Sequence, residues 1–370
     1  MGDILGLGVS HYPPYSGYDD NMAGILGYTL NDPDIPDAVK DPAAWPEPMR
    51  RQWGDDNGKA AAAQHRAAIE RGFRTVREAL DDFKPDFVLI WGDDQYENFR
   101  EDIIPAFCVM AYPTRELHPW EKMSTSIAGK PNYWNEPKET TRIVHGHPDA
   151  AKMLVGGLID EEFDVAYAYE PLHFKGLPHA FLNAILYLDF ERTGFPYPVV
   201  PMQVNCYGRR VISYQGSFSR FADAGRPEDP PSPSPRRCFE LGRAVARVLA
   251  RSPYRVAVIA SSSWSHAFMV DKTWRLNPDI GGDRALYDRL VAGDLTHWRE
   301  MTRAQIEDSG QQEVLNWFPL MGAMHELGCK LRWSDFVETH IFNSNKVAAV
   351  FEPWLASGAV SAPREAALSG

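Results

Sequence analysis

The sequence predicts an α/β fold, a single large domain with a central mixed sheet flanked by helices. Short apolar stretches rich in β-branched residues alternate along the chain with longer amphipathic stretches, the order typical of strands and helices that take turns. Polar segments follow several of the apolar stretches, as loops leave the strand ends of such sheets. The 370 residues show no repeat or linker, so we expect one domain over residues 1–370.

The individual elements follow from local periodicity. Apolar stretches predict strands over residues 4–9, 86–91, 161–168, 197–204 and 255–260. Residues 59–83 predict the longest helix, because Ile69, Phe73, Val76 and Leu80 recur every three or four positions. Two further helices are predicted over residues 179–188 and 236–250. Residues 30–58 and 112–142 are weakly periodic and predict long loops, which usually form lids or pocket walls.

Composition excludes several classes of protein. The formal net charge of −12 argues against nucleic-acid binding, which needs a basic face, but leaves room for a local basic pocket that binds an anionic substrate. No apolar stretch approaches the length of a membrane span, and the N-terminus lacks a secretory signal pattern. The four cysteines lie far apart without metal-binding or redox spacing, as is usual for reduced, buried thiols: Cys108, Cys206, Cys238 and Cys329. We therefore expect a cytoplasmic protein without nucleic-acid or membrane partners.

Histidines and carboxylates gather where the predicted strands end. His11 follows the first strand, Asp94 the second, and His266 the strand at 255–260. His173 lies in the loop after 161–168, and His147 precedes an amphipathic segment. Each could be an ordinary hydrogen-bonded side chain. Together, however, they would converge at one edge of the sheet, which suits a metal site with acid and base groups beside it.

Common catalytic signatures are absent from the sequence. It contains no glycine-rich phosphate or dinucleotide loop, no HExxH zinc motif and no GxSxG nucleophile turn. The serine-rich segment 261–266 lacks the glycines that a nucleophilic serine needs in such a turn. A nucleotide-binding enzyme and a serine hydrolase are therefore both disfavoured.

Nine short segments, taken in order, resemble the catalytic subunits of the type III extradiol ring-cleaving dioxygenases, the family that includes protocatechuate 4,5-dioxygenase and gallate dioxygenase. The resemblance covers nearly the whole chain. It is carried by residues 10–11, 88–94, 146–149, 173, 200–205, 237–242, 265–266, 276–279 and 340–345. Each segment alone is a weak signal, and it is their order that makes the resemblance specific.

The resemblance implies a metal site and its ligands. The family holds Fe(II) with two histidines and one carboxylate, leaving positions for a catecholate and dioxygen. His11 matches the first histidine ligand, and Asp279, thirteen residues after His266, stands at the glutamate position. Asp94 stands where the second histidine is expected, with Gln95 as the alternative because of a one-residue difference in length. Two carboxylates make a harder ligand set, so Mn(II) or another divalent metal is the alternative to iron. His65, His266 or Glu97 could instead fill the missing ligand position.

The resemblance also implies catalytic groups. His173 matches the acid–base histidine, His147 matches a histidine near the substrate pocket, and His266 is the third candidate for proton transfer. We therefore expect a homo-oligomeric enzyme that cleaves a small catecholic or related phenolic ring with dioxygen. A metal-dependent hydrolase or lyase on the same scaffold, or a non-catalytic partner subunit, remains the alternative.

Overall fold

A mixed eight-stranded sheet forms the centre of the computed structural model, which describes residues 2–121, 131–209 and 228–356. The strands are β1 (Ile4–Val9), β2 (Phe87–Gly92), β3 (Phe107–Met110), β4 (Arg115–Leu117), β5 (Arg142–Val144), β6 (Ala166–Ala168), β7 (Val199–Val204), β8 (Val256–Ser261), β9 (Leu331–Val337) and β10 (Lys346–Phe351). Their order in the sheet is β6-β3-β7-β2-β8-β1-β10-β9, while β4 and β5 pair separately. The predicted α/β class with a central mixed sheet is confirmed.

Helices cover both faces of this sheet. They are α1 (Gly24–Leu30), α2 (Asp37–Lys40), α3 (Glu47–Trp53), α4 (Lys59–Phe83), α5 (Pro148–Asp160), α6 (His179–Leu188), α7 (Pro235–Arg251), α8 (Ile280–Val291), α9 (Leu295–Glu300), α10 (Arg303–Asp308) and α11 (Trp317–Leu327). One buried cluster joins α4 and α6 to the sheet, and a second joins α5, α7 and α11 to its other face. Within the described ranges, no helix is both long and apolar enough to cross a bilayer.

The predicted helices agree with the structure more closely than the predicted strands do. The bounds of α4 and α6 are those predicted, and α7 is one residue longer at each end. The strand predicted over 161–168 is wrong in extent, because α5 runs to Asp160 and Glu162 then adopts a positive φ of 64° that no strand allows. The long loops predicted over 30–58 and 112–142 contain short helices and the strand β4.

Four parallel strands at the centre of the sheet determine where functional groups can meet. Strands β7, β2, β8 and β1 are neighbours and run in the same direction. Their carboxyl ends therefore lie at one edge of the sheet, which we call the carboxyl edge. Loops that begin at this edge carry His11, Asp93, Tyr207 and His266. Ligand sites in open α/β sheets form at such edges.

Two glycines bring α7 and α11 into backbone contact. A Cβ atom on Gly242 would lie 1.8 Å from the carbonyl oxygen of Pro319, and one on Gly322 would lie 1.9 Å from that of Phe239. Neither position has room for a side chain, so the two helices pack as closely as their backbones allow. Because α11 directly continues a 3-10 turn over Gln312–Asn316, this crossing also fixes that turn.

Candidate metal centre

Four buried side chains converge at the carboxyl edge. His11, Asp93, His179 and Glu313 each offer one ligand atom, and these atoms all lie within 4.8 Å of one another. Each residue is at most 4% exposed. Two imidazoles and two carboxylates, gathered away from water, form a donor set that suits a divalent metal ion.

His11 is held with one ring nitrogen directed into this cluster. The Ser261 hydroxyl donates to the carbonyl oxygen of Ala180 at 2.7 Å, so its oxygen accepts from His11 Nδ1 at 3.0 Å. Nδ1 is therefore the donor to Ser261, and Nε2 faces Glu313 Oε2 at 3.4 Å and Asp93 Oδ1 at 4.0 Å. This is the orientation that a metal-binding imidazole needs.

His179 is the first residue of α6 and is held by Glu97. The Glu97 carboxylate accepts from the backbone N–H of His179 at 2.9 and 3.1 Å and from its Nδ1 at 2.9 Å. Burial lowers the pKa of His179, but Glu97 outweighs it and, with the other cluster carboxylates, raises the pKa to about 10. Without a metal the ring is thus protonated, and a bound cation would replace that proton at Nε2.

Glu313 has one satisfied oxygen and one unsatisfied oxygen. Its Oε1 accepts from the Tyr207 hydroxyl and from Gln95 Nε2. Its Oε2 lies 3.4 Å from Nε2 of His11 and 3.2 Å from Nε2 of His266, without a hydrogen bond to any described group. Burial raises the pKa of Glu313, yet the two histidines outweigh it and hold the pKa well below its usual value.

Asp93, like Glu313, has one satisfied oxygen and one unsatisfied oxygen. Its Oδ1 accepts from Asn316 Nδ2 at 3.0 Å, and its buried Oδ2 has no hydrogen-bond partner among the described residues. Burial, and then the nearby Glu313 charge, raise the pKa of Asp93 to about 7. A buried carboxylate oxygen without a partner is costly. Two such oxygens in one cluster fit a divalent cation.

Asp94, the predicted second ligand, faces its own loop. Its two oxygens accept from the backbone N–H groups of Glu97, Asn98 and Phe99 at 2.9 to 3.3 Å. Burial and the neighbouring Glu97 raise its pKa to about 7. The structure places the carboxylate of Asp93, one residue earlier, in the cluster instead.

Asp279, the predicted third ligand, caps a helix. Its carboxylate accepts from the backbone N–H of Gly282 at 3.1 Å at the start of α8 and pairs with Lys272 at 2.7 Å. Burial opposes the effect of Lys272, which nevertheless lowers the pKa of Asp279. The structure therefore does not bring Asp279 to the cluster, and Glu313 supplies the carboxylate there.

The three histidines predicted for catalysis lie in three different places. His266 is buried at the cluster beside Glu313. His173 is partly exposed and pairs with Asp102 at 2.8 Å. His147 caps α5 by accepting from the backbone N–H of Ala150 at 3.3 Å. Its ring also packs on residues at the starts of two strands, Phe87 and Tyr254, which places His147 at the edge opposite the cluster.

The structure therefore joins His11 and His266 of the predicted set with three residues that the sequence did not single out. Asp93 is the residue before the predicted Asp94, and the two differ in that only the Asp93 side chain is directed into the cluster. His179 follows Pro178 at a helix start, a weak signal for a polar site. Glu313 precedes Val314 and Leu315, which belong to an apolar segment typical of a core. The sequence therefore gave no sign that Glu313 belongs to a polar site.

Comparison with known proteins gives a family match to part of the chain. Residues 229–351 match the model of the catalytic LigB subunit of aromatic ring-opening dioxygenase. A 2,3-dihydroxyphenylpropionate/2,3-dihydroxicinnamic acid 1,2-dioxygenase of Burkholderia vietnamiensis is 29% identical over 228 residues, 61% of this chain and 56% of that protein. A gallate dioxygenase of Pseudomonas putida is 26% identical over 186 residues, 49% of this chain and 46% of the relative.

The match covers only part of these relatives. The chain spans about half the length of the curated proteins it matches. A solved structure of an uncharacterized Escherichia coli K12 protein covers 76% of this chain and 91% of its own, with a TM-score of 0.43 and 12% identity. Residues 229–351 thus match the LigB family model, and the chain is similar over part of its length to proteins named as ring-cleaving dioxygenases, as the sequence motifs predicted.

Proposed function

We propose that the protein is a metal-dependent extradiol-type dioxygenase that opens a catecholic or related phenolic ring. The observation that carries this proposal is the buried cluster of two imidazoles and two carboxylates in a chain with a LigB family domain. The names of the relatives favour a ring that carries adjacent hydroxyl groups and an acidic substituent. The proposal uses His179 as the second ligand in place of Asp94, and Glu313 as the carboxylate ligand in place of Asp279.

His11, His179 and Glu313 would hold the ion. Two histidines and one carboxylate with open positions form the ligand set of non-haem Fe(II) oxygenases, and we propose Fe(II), with Mn(II) as the alternative. Such an ion, when bound, acidifies a coordinated hydroxyl and provides a place where dioxygen and substrate meet. The second imidazole would come from the start of α6, where Glu97 orients it, rather than from the end of β2.

Around these ligands, two side chains have separate tasks. Tyr207 donates its hydroxyl to Glu313 Oε1, which turns Oε2 toward the two histidine rings. Burial and the adjacent Glu313 raise the pKa of Tyr207 well above its usual value, so this hydroxyl stays protonated. His266 lies beside the cluster but is not one of the three proposed ligands. We therefore assign it the transfer of the substrate's hydroxyl proton.

His266 and His173 can be compared directly, because both were expected to move protons. We expect His266→Gln to lower kcat by about 10²–10⁴-fold, the usual cost of losing a positioned acid or base, while the metal content stays unchanged. His173→Gln is the matched variant, since His173 pairs with Asp102 in a partly exposed loop. Steady-state kinetics and elemental analysis test both. A full loss of kcat in His173→Gln with normal turnover in His266→Gln would reverse the assignment.

One observation favours a second candidate function, a metal-dependent hydrolase or lyase. If Asp93 also binds the ion, four protein donors leave an octahedral metal two open positions. A chelating diol together with dioxygen needs three, whereas a hydrolase or lyase needs only one or two. Asn316 holds Asp93 Oδ1 at 3.0 Å, which favours the three-ligand arrangement but leaves Oδ2 available.

Oxygen uptake distinguishes the two functions. Protein loaded anaerobically with Fe(II) or Mn(II) should consume oxygen when gallate, protocatechuate or 2,3-dihydroxyphenylpropionate is added, with formation of a ring-opened product detected by mass spectrometry. Glu313→Gln, which keeps the shape but removes the charge, is the control and should consume none. Turnover that proceeds equally without oxygen would favour the hydrolase or lyase. Failure to bind either metal would contradict both functions.

Glu97 provides a separate test of the ligand assignment. We expect Glu97→Gln to weaken metal binding about 10–100-fold, the usual effect of losing a carboxylate that orients a metal-binding histidine. Chelator competition measures the affinity. Glu136→Gln is the matched control, because Glu136 pairs with Arg142 and Arg192 outside the cluster. Equal affinities in the two variants would contradict a ligand role for His179.

A further inference from the structure

Asp283 is a fully buried carboxylate that lies outside the metal cluster. It belongs to the first turn of α8 and is 0% exposed. Its oxygens accept from the backbone N–H of Ser265 at 3.1 and 3.0 Å, from Gln311 Nε2 at 2.7 Å and from Asn345 Nδ2 at 2.7 Å. The described residues show no cation paired with it.

The three donors to Asp283 belong to three separate segments at the carboxyl edge. Ser265 immediately precedes His266, and Gln311 lies two residues before Glu313. Asn345 belongs to the connection between β9 and β10, which is itself bonded to the His266 loop. In that contact the N–H of Trp264 donates to the carbonyl oxygen of Asn345 at 3.0 Å. One side chain therefore joins the loop of His266 to the turn of Glu313.

The groups around Asp283 require a carboxylate rather than an amide. All three partners donate, and Asn345 cannot reverse its amide, because its Oδ1 already accepts from the backbone N–H of Thr339 at 2.9 Å. An asparagine at position 283 would turn an N–H group toward another donor. Burial raises the pKa of Asp283 to about 7, so keeping a charge here opposes stability. A residue that only filled space would be apolar.

We propose that Asp283 is a positioning residue that sets His266 and Glu313 at their working separation. Nε2 of His266 and Oε2 of Glu313 lie 3.2 Å apart, although they come from different loops. Backbone contacts between the loops, such as the N–H of His266 on the carbonyl oxygen of Gly310 at 2.8 Å, set the approximate approach. Asp283 adds a side-chain link between the two loops, through the backbone N–H of Ser265 and the Gln311 amide. The tests of this inference that measure metal binding rest on the proposed function.

The first test uses Asp283→Asn with Co(II) as a spectroscopic probe. We expect Co(II) binding to weaken about 10–100-fold, as for other residues that orient ligands, and the visible Co(II) absorption to change. Asp189→Asn is the matched control. Asp189 is also a buried aspartate, but it accepts from Gly194 N–H at 2.7 Å at the far end of α6. A loss of affinity no larger than in the control would overturn the proposal.

A double variant separates positioning from general damage to the fold. Adding Asn345→Asp to Asp283→Asn restores a carboxylate–amide pair with its polarity reversed, while the new carboxylate at position 345 can still accept from the backbone N–H of Thr339. We expect the double variant to recover most of the Co(II) affinity and the original absorption. If the affinity stays at the level of the single variant, the proposal is wrong.

A third measurement does not depend on metal binding or on the stability of Asp283→Asn. Gln311→Met removes one donor but keeps the buried carboxylate and nearly the same side-chain volume. Nitrogen NMR of histidine-labelled protein should show the His266 ring signals shifted, with those of His147 unchanged. Unshifted His266 signals would overturn the proposal. If the wild-type protein binds no metal yet His266 shifts, the proposed function fails and the role of Asp283 stands.

Discussion

Replacing His11 with alanine is expected to abolish both metal retention and turnover. The substitution removes the Nε2 atom that faces Glu313 and Asp93, and leaves the cluster with one imidazole ligand, that of His179. Water cannot reproduce the imidazole that Ser261 orients. The loss of affinity should exceed the roughly 100-fold that follows from losing an outer residue such as Glu97. Elemental analysis of protein loaded anaerobically, together with oxygen uptake, measures both effects.

His147→Ala is the control for this experiment. It is also a histidine-to-alanine change, but His147 caps α5 at the edge opposite the cluster. We expect it to keep metal and turnover and to lose about 1 kcal/mol of stability, as helix caps usually do. Full metal retention in His11→Ala would contradict the assignment of the metal site to this cluster. Loss of turnover in a folded, metal-bound His147→Ala would return His147 to the catalytic set.

The second large effect is expected at the crossing of α7 and α11. Gly322→Ala places a methyl group 1.9 Å from the carbonyl oxygen of Phe239, where only backbone movement can relieve the contact. Overpacking of this kind usually costs about 1–3 kcal/mol and occasionally more. We expect the free energy of unfolding to fall by at least that amount, which denaturant titration measures.

Gly156→Ala is the matched control for the crossing. Gly156 lies inside α5, and no atom lies within 4 Å of the position that its Cβ would take. Alanine there should stabilise the protein by about 0.5–1 kcal/mol, because it restricts the unfolded chain and favours the helix. The same substitution should thus have opposite signs in two helices. A destabilisation shared by both variants would show that helix glycines matter here for a reason other than close packing.

Local patterns predicted the fold class and the bounds of two helices, but not the whole site. The spacing of apolar residues correctly bounded α4 and α6, because the buried face of a helix repeats every three or four residues. The end of β2 was also predicted, yet the choice of Asp94 over Asp93 was not supported by the geometry. Both residues lie beyond the last strand residue, Gly92, and Asp94 is held by the backbone N–H groups of the loop that follows it, which no spacing in the sequence reveals.

The distant ligands depend on information that a single sequence does not contain. Counting from His266 led to Asp279, which caps α8, whereas the chain returns to the cluster only at Glu313. No local pattern predicts that Glu313 lies in the cluster, because its position depends on how α8, α9 and α10 pack. His179 likewise reaches the cluster only because α6 begins beside Glu97. Both are consequences of tertiary packing rather than of spacing.

The glycine crossing has a consequence for how the site selects its ion. Glu313 belongs to the turn that α11 continues, and α11 is in backbone contact with α7 at Gly242 and Gly322. The carboxylate is therefore preorganised by two helices before any ion arrives. Calcium binds oxygen ligands at about 2.3–2.6 Å in flexible sites, whereas smaller ions accept tighter, fixed geometries. A framework this rigid should exclude large ions by size. Mutating Gly242 or Gly322, which do not contact the ion, should therefore alter the ion selectivity of the site.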